Sequence, residues 1–141
     1  MKGKITILAG LGFIIFFAIE AQAVDWVFYG TSEENGNSHY YDPQSVKRVS
    51  KDVVRVWGKS SYSEKGAQDV IKKDGSKYNG LSYIIFWVEY DCSEKKSYNL
   101  SVTLYNQDGG VIESSNNDSS WESIVPGAVS EALFNIVCGS R

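Results

Sequence analysis

Few residues in this chain are equipped for chemistry: one histidine, His39, two cysteines, Cys92 and Cys138, and two acids, Glu89 and Asp91, two positions apart. Nucleophilic catalysis of the Ser–His–Asp kind would have to use His39 as its base. That residue sits beside Tyr40 in a segment that reads as strand, where a packing or surface imidazole is expected. Glu89 and Asp91 would share one strand face about 7 Å apart, and a paired-carboxylate hydrolase would need both of them buried. The simpler expectation is that they are solvated, or pair with Arg55 and Lys59 on a nearby strand. No C-x-x-C accompanies the lone histidine, so no metal site is expected. There is no glycine-rich phosphate loop and no calcium-loop spacing, so no cofactor is expected either. Asn99-Leu100-Ser101 and Asn117-Asp118-Ser119 fit the glycosylation sequon, without further support. The residues argue against an enzyme.

The first 23 residues read as a leader. Lys2 and Lys4 precede an almost wholly apolar run over residues 5–19, and Ala21-Gln22-Ala23 supplies a small-x-small cleavage site. The run is shorter than the ~20 residues a membrane helix needs, so a cleaved signal peptide is expected over an uncleaved anchor. No cysteine follows the cleavage site, so no lipid anchor is expected, and residues 24–141 are expected to form one exported domain. Loss of two lysines and one glutamate from 14 basic and 17 acidic side chains leaves 12 and 16, a net charge of −4. That balance argues against general nucleic-acid binding. Two cysteines in an exported chain are most simply one disulfide, Cys92 to Cys138.

The elements that must position these residues centre on residues 83–92, YIIFWVEYDC, whose β-branched and aromatic content reads as a long strand. Alternation places Ile84, Phe86, Val88, Tyr90 and Cys92 on a core face, and Tyr83, Ile85, Trp87, Glu89 and Asp91 on the other. Further strands are expected at residues 26–30, around 39–41, at 53–59, at 98–104 and from 111. In the fourth of these Tyr98, Leu100, Val102 and Leu104 alternate with polar residues. Residues 62–80 are polar apart from Val70 and Ile71 and read as a long exposed loop with no more than a helical turn. Residues 114–120 read as a polar connection. Val129, Leu133, Ile136 and Val137 recur at helical spacing after Pro126-Gly127, so a helix is expected over about 127–138. The fold class is α+β: about six antiparallel strands with one C-terminal helix packed on one face and tied by the disulfide.

An ordered set of residues then resembles a known family. Trp26-Val27-Phe28-Tyr29-Gly30 after the leader is followed by Tyr41-Asp42, Ser45-Val46-Lys47-Arg48 and Val54-Arg55-Val56-Trp57. Tyr90-Asp91-Cys92, Trp121 to Ile124, Pro126-Gly127 and Val137-Cys138 complete the set. Together they resemble the surface-adhesin protein E family of small exported bacterial proteins over nearly all of residues 24–141. The resemblance implies the same sheet, helix and disulfide. It also implies a non-enzymatic protein that binds host extracellular-matrix or serum proteins.

The expected binding face is the sheet side opposite the helix, carrying Arg55, Trp57, Lys59, Tyr83 and Trp87. Binding or homodimerisation through it competes with a plainer expectation, that these rings cover one another or pack under residues 62–80. Lys72, Lys73 and Lys77 are expected to be solvated rather than to form an anion-binding patch. The rival functions are a periplasmic structural or envelope-assembly accessory that contacts envelope proteins, and a small-ligand carrier. Location is expected to be periplasmic, at the cell surface or secreted.

Overall fold

The computed structural model describes residues 23–116 and 120–139. The expected leader lies outside them, except for Ala23. The strands are β1 (Val27–Thr31), β2 (Ser38–Tyr41), β3 (Lys47–Arg48), β4 (Val53–Ser61), β5 (Leu81–Asp91), β6 (Lys96–Asn106), β7 (Val111–Asn116) and β8 (Glu122–Ser123). The helices are α1 (Glu64–Asp74) and α2 (Val129–Gly139), with 3-10 turns at Pro43–Ser45 and Ser76–Tyr78. One antiparallel sheet runs in the order β1-β2-β4-β5-β6-β7, with β3 beside β4 and β8 beside β6. The expected α+β class holds, with two very short strands and one helix more than expected.

The centre of the sheet is β4 against β5, paired without a register shift from Val53↔Asp91 to Ser61↔Tyr83. Alternation along β4 is complete: Val54, Val56, Gly58 and Ser60 are buried, and the residues between them are half-exposed. Val54, Val56, Val88 and Tyr90 form the sheet side of the core, and Leu133, Phe134, Val137 and Cys138 of α2 form its lid. Tyr90 meets Phe134 edge to face at 5.9 Å, and Cys92 is bonded to Cys138. The core face read from alternation in β5 is therefore the observed one. An isolated eleven-residue helix is marginal in water, so α2 depends on this apolar seam and on its covalent tie.

One close approach fixes the packing of β5. Gly58 faces Phe86 across the ladder, and a Cβ at Gly58 would lie 2.1 Å from the Phe86 ring. The ring thus lies on the bare backbone of β4, in space that any side chain would take.

Two expectations need correction. Residues 62–80 are not a loop: they hold α1 and the second 3-10 turn. The Ser63 hydroxyl accepts from the Gly66 N–H at 2.9 Å and donates to the Asn35 carbonyl, while the Asn37 side chain accepts from the Ser63 N–H at 2.9 Å. This cap docks α1 on the β1–β2 connection, where buried Asn37 lies so close that a Cβ at Gly66 would be 2.0 Å from it. Lys65 and Asp69 add an i,i+4 pair at 2.7 Å.

The second correction concerns β6. Trp87 pairs with Ser101 but Val88 pairs with Asn99, so one extra residue is inserted in β6. Such a bulge reverses the faces of everything beyond it. Ser97 and Asn99 therefore share the core side with Tyr90 and Val88, and Tyr98 goes to the open side with Glu89. The single face expected for Tyr98, Leu100, Val102 and Leu104 does not exist.

Two measurements check these dependences. The 46-residue separation of the bonded cysteines corresponds to about 4 kcal/mol in the chain-entropy model. Replacing both cysteines with alanine should lower the melting temperature by about ten degrees or more; an unchanged melting curve would show that the bond is energetically idle. Gly58→Ala should cost about 1–3 kcal/mol as Phe86 is displaced, read as a drop in the urea midpoint without a change in slope.

Candidate binding face

The face of the sheet turned away from α2 is built by the second set of alternating positions. Cross-strand partners in an antiparallel ladder project to the same side, so register alone assembles it. Arg55 faces Glu89, Trp57 faces Trp87, Lys59 faces Ile85, and Tyr83 faces Tyr105. Tyr40 lies opposite Lys59 on β2, and Phe28 opposite Tyr40 on edge strand β1. The bulge in β6 adds Tyr98, whose ring lies 5.5 Å from that of Trp121. All five residues expected to form the binding face, Arg55, Trp57, Lys59, Tyr83 and Trp87, share this side.

Their geometry is that of a fixed strip. The Trp57 and Trp87 rings are parallel within 8° with centroids 5.4 Å apart, and Tyr83 and Tyr105 are parallel within 11° at 4.8 Å. The Arg55 guanidinium lies 5.3 Å from the Trp87 ring centre, and the Lys59 ammonium 4.8 Å from that of Tyr83. The rings do cover one another, and the cations cover the rings. None of the five is fully buried, and Phe28, at the edge of the same face, is 56% exposed.

The acidic residues are held apart. Glu89 accepts from Arg55 Nε at 2.6 Å with only 13% of its side chain exposed. Asp91 instead closes the β5–β6 turn, accepting from the N–H groups of Ser93 and Glu94 and from the Ser93 hydroxyl. These bonds hold its carboxyl below the usual carboxylate range. One acid is ion-paired and the other is a turn cap, so the two do not converge on a shared point. Of the two expected ion pairs Arg55–Glu89 forms, whereas Lys59 sits over a ring. Lys77 meets Glu113 at 3.1 Å, and Lys72 and Lys73 are exposed on α1.

At one end of the strip an open cleft of about 510 Å³ lies between residues 44–47 and the indole pair, with Arg55 in its wall. Sequence alternation could not show it, because it depends on the 3-10 turn at Pro43–Ser45. Asp42 caps that turn by accepting from the Gln44 N–H at 2.9 Å, and the Ser45 hydroxyl accepts from the Trp57 N–H at 2.9 Å. A second cavity of about 350 Å³ lies on the helix side, floored by Ile84, Phe86, Val88 and Val102 and rimmed by Ser97, Asn99 and His39. Among the described residues no cluster of His, Cys, Asp and Glu could hold a metal, and no helix is long and apolar enough to cross a membrane.

His39 is a packed residue. Its Nδ1 bonds Ser60 Oγ and its Nε2 bonds Ser32 Oγ, each at 2.7 Å, which links β2 to β4 and to the end of β1. A serine lies within reach of the imidazole, but the group on the other nitrogen is a hydroxyl, which brings no negative charge to stabilise an imidazolium. Burial pushes the imidazole below its ordinary value of 6.5. The folded state therefore holds the neutral form more firmly than the unfolded chain does. This contribution to stability is complete above 6.5 and is lost as pH falls from there through the lowered folded value. The melting temperature should decline as pH falls below 6.5. His39→Gln should remove the decline; its persistence in the variant would assign it elsewhere.

The comparisons with known proteins agree with this architecture. No curated protein sequence matches the chain. The crystal form II structure of Haemophilus influenzae protein E superposes with a TM-score of 0.51 at 12% identity, covering 81% of this chain and 87% of that one. At that identity the likeness is one of fold. A family model described as surface-adhesin protein E matches residues 26–139, which include all of the strands, both helices and both bonded cysteines. The chain belongs to the surface-adhesin protein E family.

Proposed function

We propose that this protein is an exported, non-catalytic adhesin that binds host extracellular-matrix or serum proteins through the open face of its sheet. The observation that carries the reading is the Trp57–Trp87 stack flanked by Arg55 and Lys59. Aromatic rings and arginine are the side chains that most often anchor interfaces. Here they lie on the side of the sheet that α2 leaves open, half-exposed and already ordered. Ordered rings lose little side-chain freedom on binding, which lowers the cost of association. Family membership supports the adhesive role, and the basic, apolar and small-residue order of residues 1–23 supports export by a cleaved signal peptide.

Shaving of intact cells with protease tests location. Digestion of the protein without lysis is expected, and protection until the outer envelope is opened would replace the reading with a periplasmic accessory role. Binding of the purified protein to immobilised matrix and serum proteins tests the face. Trp57→Ala and Trp87→Ala should each weaken binding roughly 30-fold or more. Retained affinity in both variants, with melting curves showing them folded, would move the interface elsewhere.

A further inference from the structure

We propose that the cleft beside Trp57, together with Lys59 beyond the indole stack, is a subsite for a linear sulfated polysaccharide. The inference rests on the adhesive reading above and names the chemistry of the partner at that face. The cleft is rich in donors. Arg55, in the cleft wall, spends only its Nε on Glu89, and its terminal nitrogens make no hydrogen bond among the described residues. Lys47, the cross-strand partner of Arg55, has no ion pair among the described residues, and neither indole N–H has a hydrogen-bond partner among them. Gln44 adds an amide. Acceptors are scarce, because the Ser45 hydroxyl is already engaged between the Trp57 N–H and the Asp42 carbonyl, and Glu89 is tucked under Arg55. A ligand that fits must therefore bring acceptor oxygens and negative charge.

The spacing points to a chain rather than to a single anion. Lys47 and Arg55 stand at one end of the indole stack. Lys59 stands at the other, four residues along the same strand, or about 13 Å away. A polymer with repeated anionic substituents can meet both ends while its apolar ring edges rest on the indoles between them.

A glycan suits this surface better than an acidic peptide does. The strand bordering the cleft, β3, is two residues long and offers almost no free ladder for a peptide to extend. The face otherwise presents side chains alone, and a sulfated glycan carries its acceptors as side groups. Lys47, Arg55 and Lys59 lie along the strip, while Glu89 is paired with Arg55 and the Asp42 and Asp91 carboxylates at its margin are engaged in turn caps, so the cations give direction to the encounter with a polyanion.

The test uses the purified protein with a heparin-type sulfated glycan, its desulfated counterpart, and a deglycosylated matrix protein. The sulfated chain should bind, the desulfated chain at least about tenfold more weakly, and the affinity should fall as salt shortens the screening length. Lys47→Glu and Lys59→Glu should each weaken binding about tenfold. Lys72→Glu, the same charge change on α1, should have no effect. Glycan binding unaffected by Lys47→Glu and Lys59→Glu would be non-specific polyanion attraction and would overturn the subsite. Failure to bind the sulfated chain, with Trp57-dependent binding to the deglycosylated protein intact, would overturn this inference and leave the adhesive reading standing. Binding to neither would remove both. Stronger competition by an acidic peptide than by the glycan would assign the cleft to a protein partner instead.

Discussion

The nine-pair ladder between β4 and β5 is the constraint from which both faces of this protein follow. It runs without a slip, so each residue's side is determined by its position alone. Val54, Val56, Val88 and Tyr90 must meet α2, and Arg55, Trp57, Trp87 and Glu89 must turn away from it. A one-residue shift would exchange the two sets and place an ion pair and two indoles under the helix. Burial of the valines and of Tyr90 opposes that shift strongly, at roughly 1.5–3 kcal/mol for each large apolar side chain kept from water. The outer strip is therefore held in register by the inner core, without needing to be stable in its own right.

The disulfide and Gly58 act on the same ladder from its helix-facing side. The bond joins Cys92, just past the end of β5, to the last turn of α2, so that turn stays tethered at the end of β5 whatever the rest of the helix does. Gly58 acts within the sheet: by having no side chain it lets the Phe86 ring lie over β4. Chain connectivity and local shape thus agree on one arrangement, the kind of consistency across levels that marks a well-specified fold.

Strict alternation was readable in residues, and breaks in alternation were not. In β4 and β5 the alternation runs without a break, although Ile85 lies on the open side and Ser60 on the buried one, so the core face, the position of Cys92 and the five residues of the open strip could all be inferred from spacing. In β6 the pattern Tyr98, Leu100, Val102, Leu104 imitates an unbroken strand, yet the bulge between Asn99 and Ser101 turns Tyr98 outward. A bulge is a property of the pairing, and a single strand's composition does not report it. Helix α1 was missed for a related reason. Its apolar content is thin, and its N-terminus is secured by Asn35 and Asn37, which lie 26 or more residues earlier in the chain. A cap supplied by a distant loop leaves little trace in a local window. The cleft beside Trp57 shares that origin, since the 3-10 turn that walls it is tied to β4 through Ser45.

The open strip shows how a sheet can hold ordered aromatic and basic side chains on its outer face without loosening its core. Stacked indoles and phenols, each with a cation above, satisfy much of their apolar surface among themselves, so the face can remain in water without driving aggregation. The same contacts fix the orientation of the rings and hold Arg55 against Glu89, which leaves ring edges, N–H groups and the outer nitrogens of the guanidinium to meet a partner. On the proposed function, such a surface would gain affinity from preorganisation and charge more than from buried apolar area. Substitutions along it should therefore separate binding from folding more cleanly than substitutions at Val54, Val56 or Tyr90. Those side chains serve the core directly, and through the ladder they also hold the strip in place.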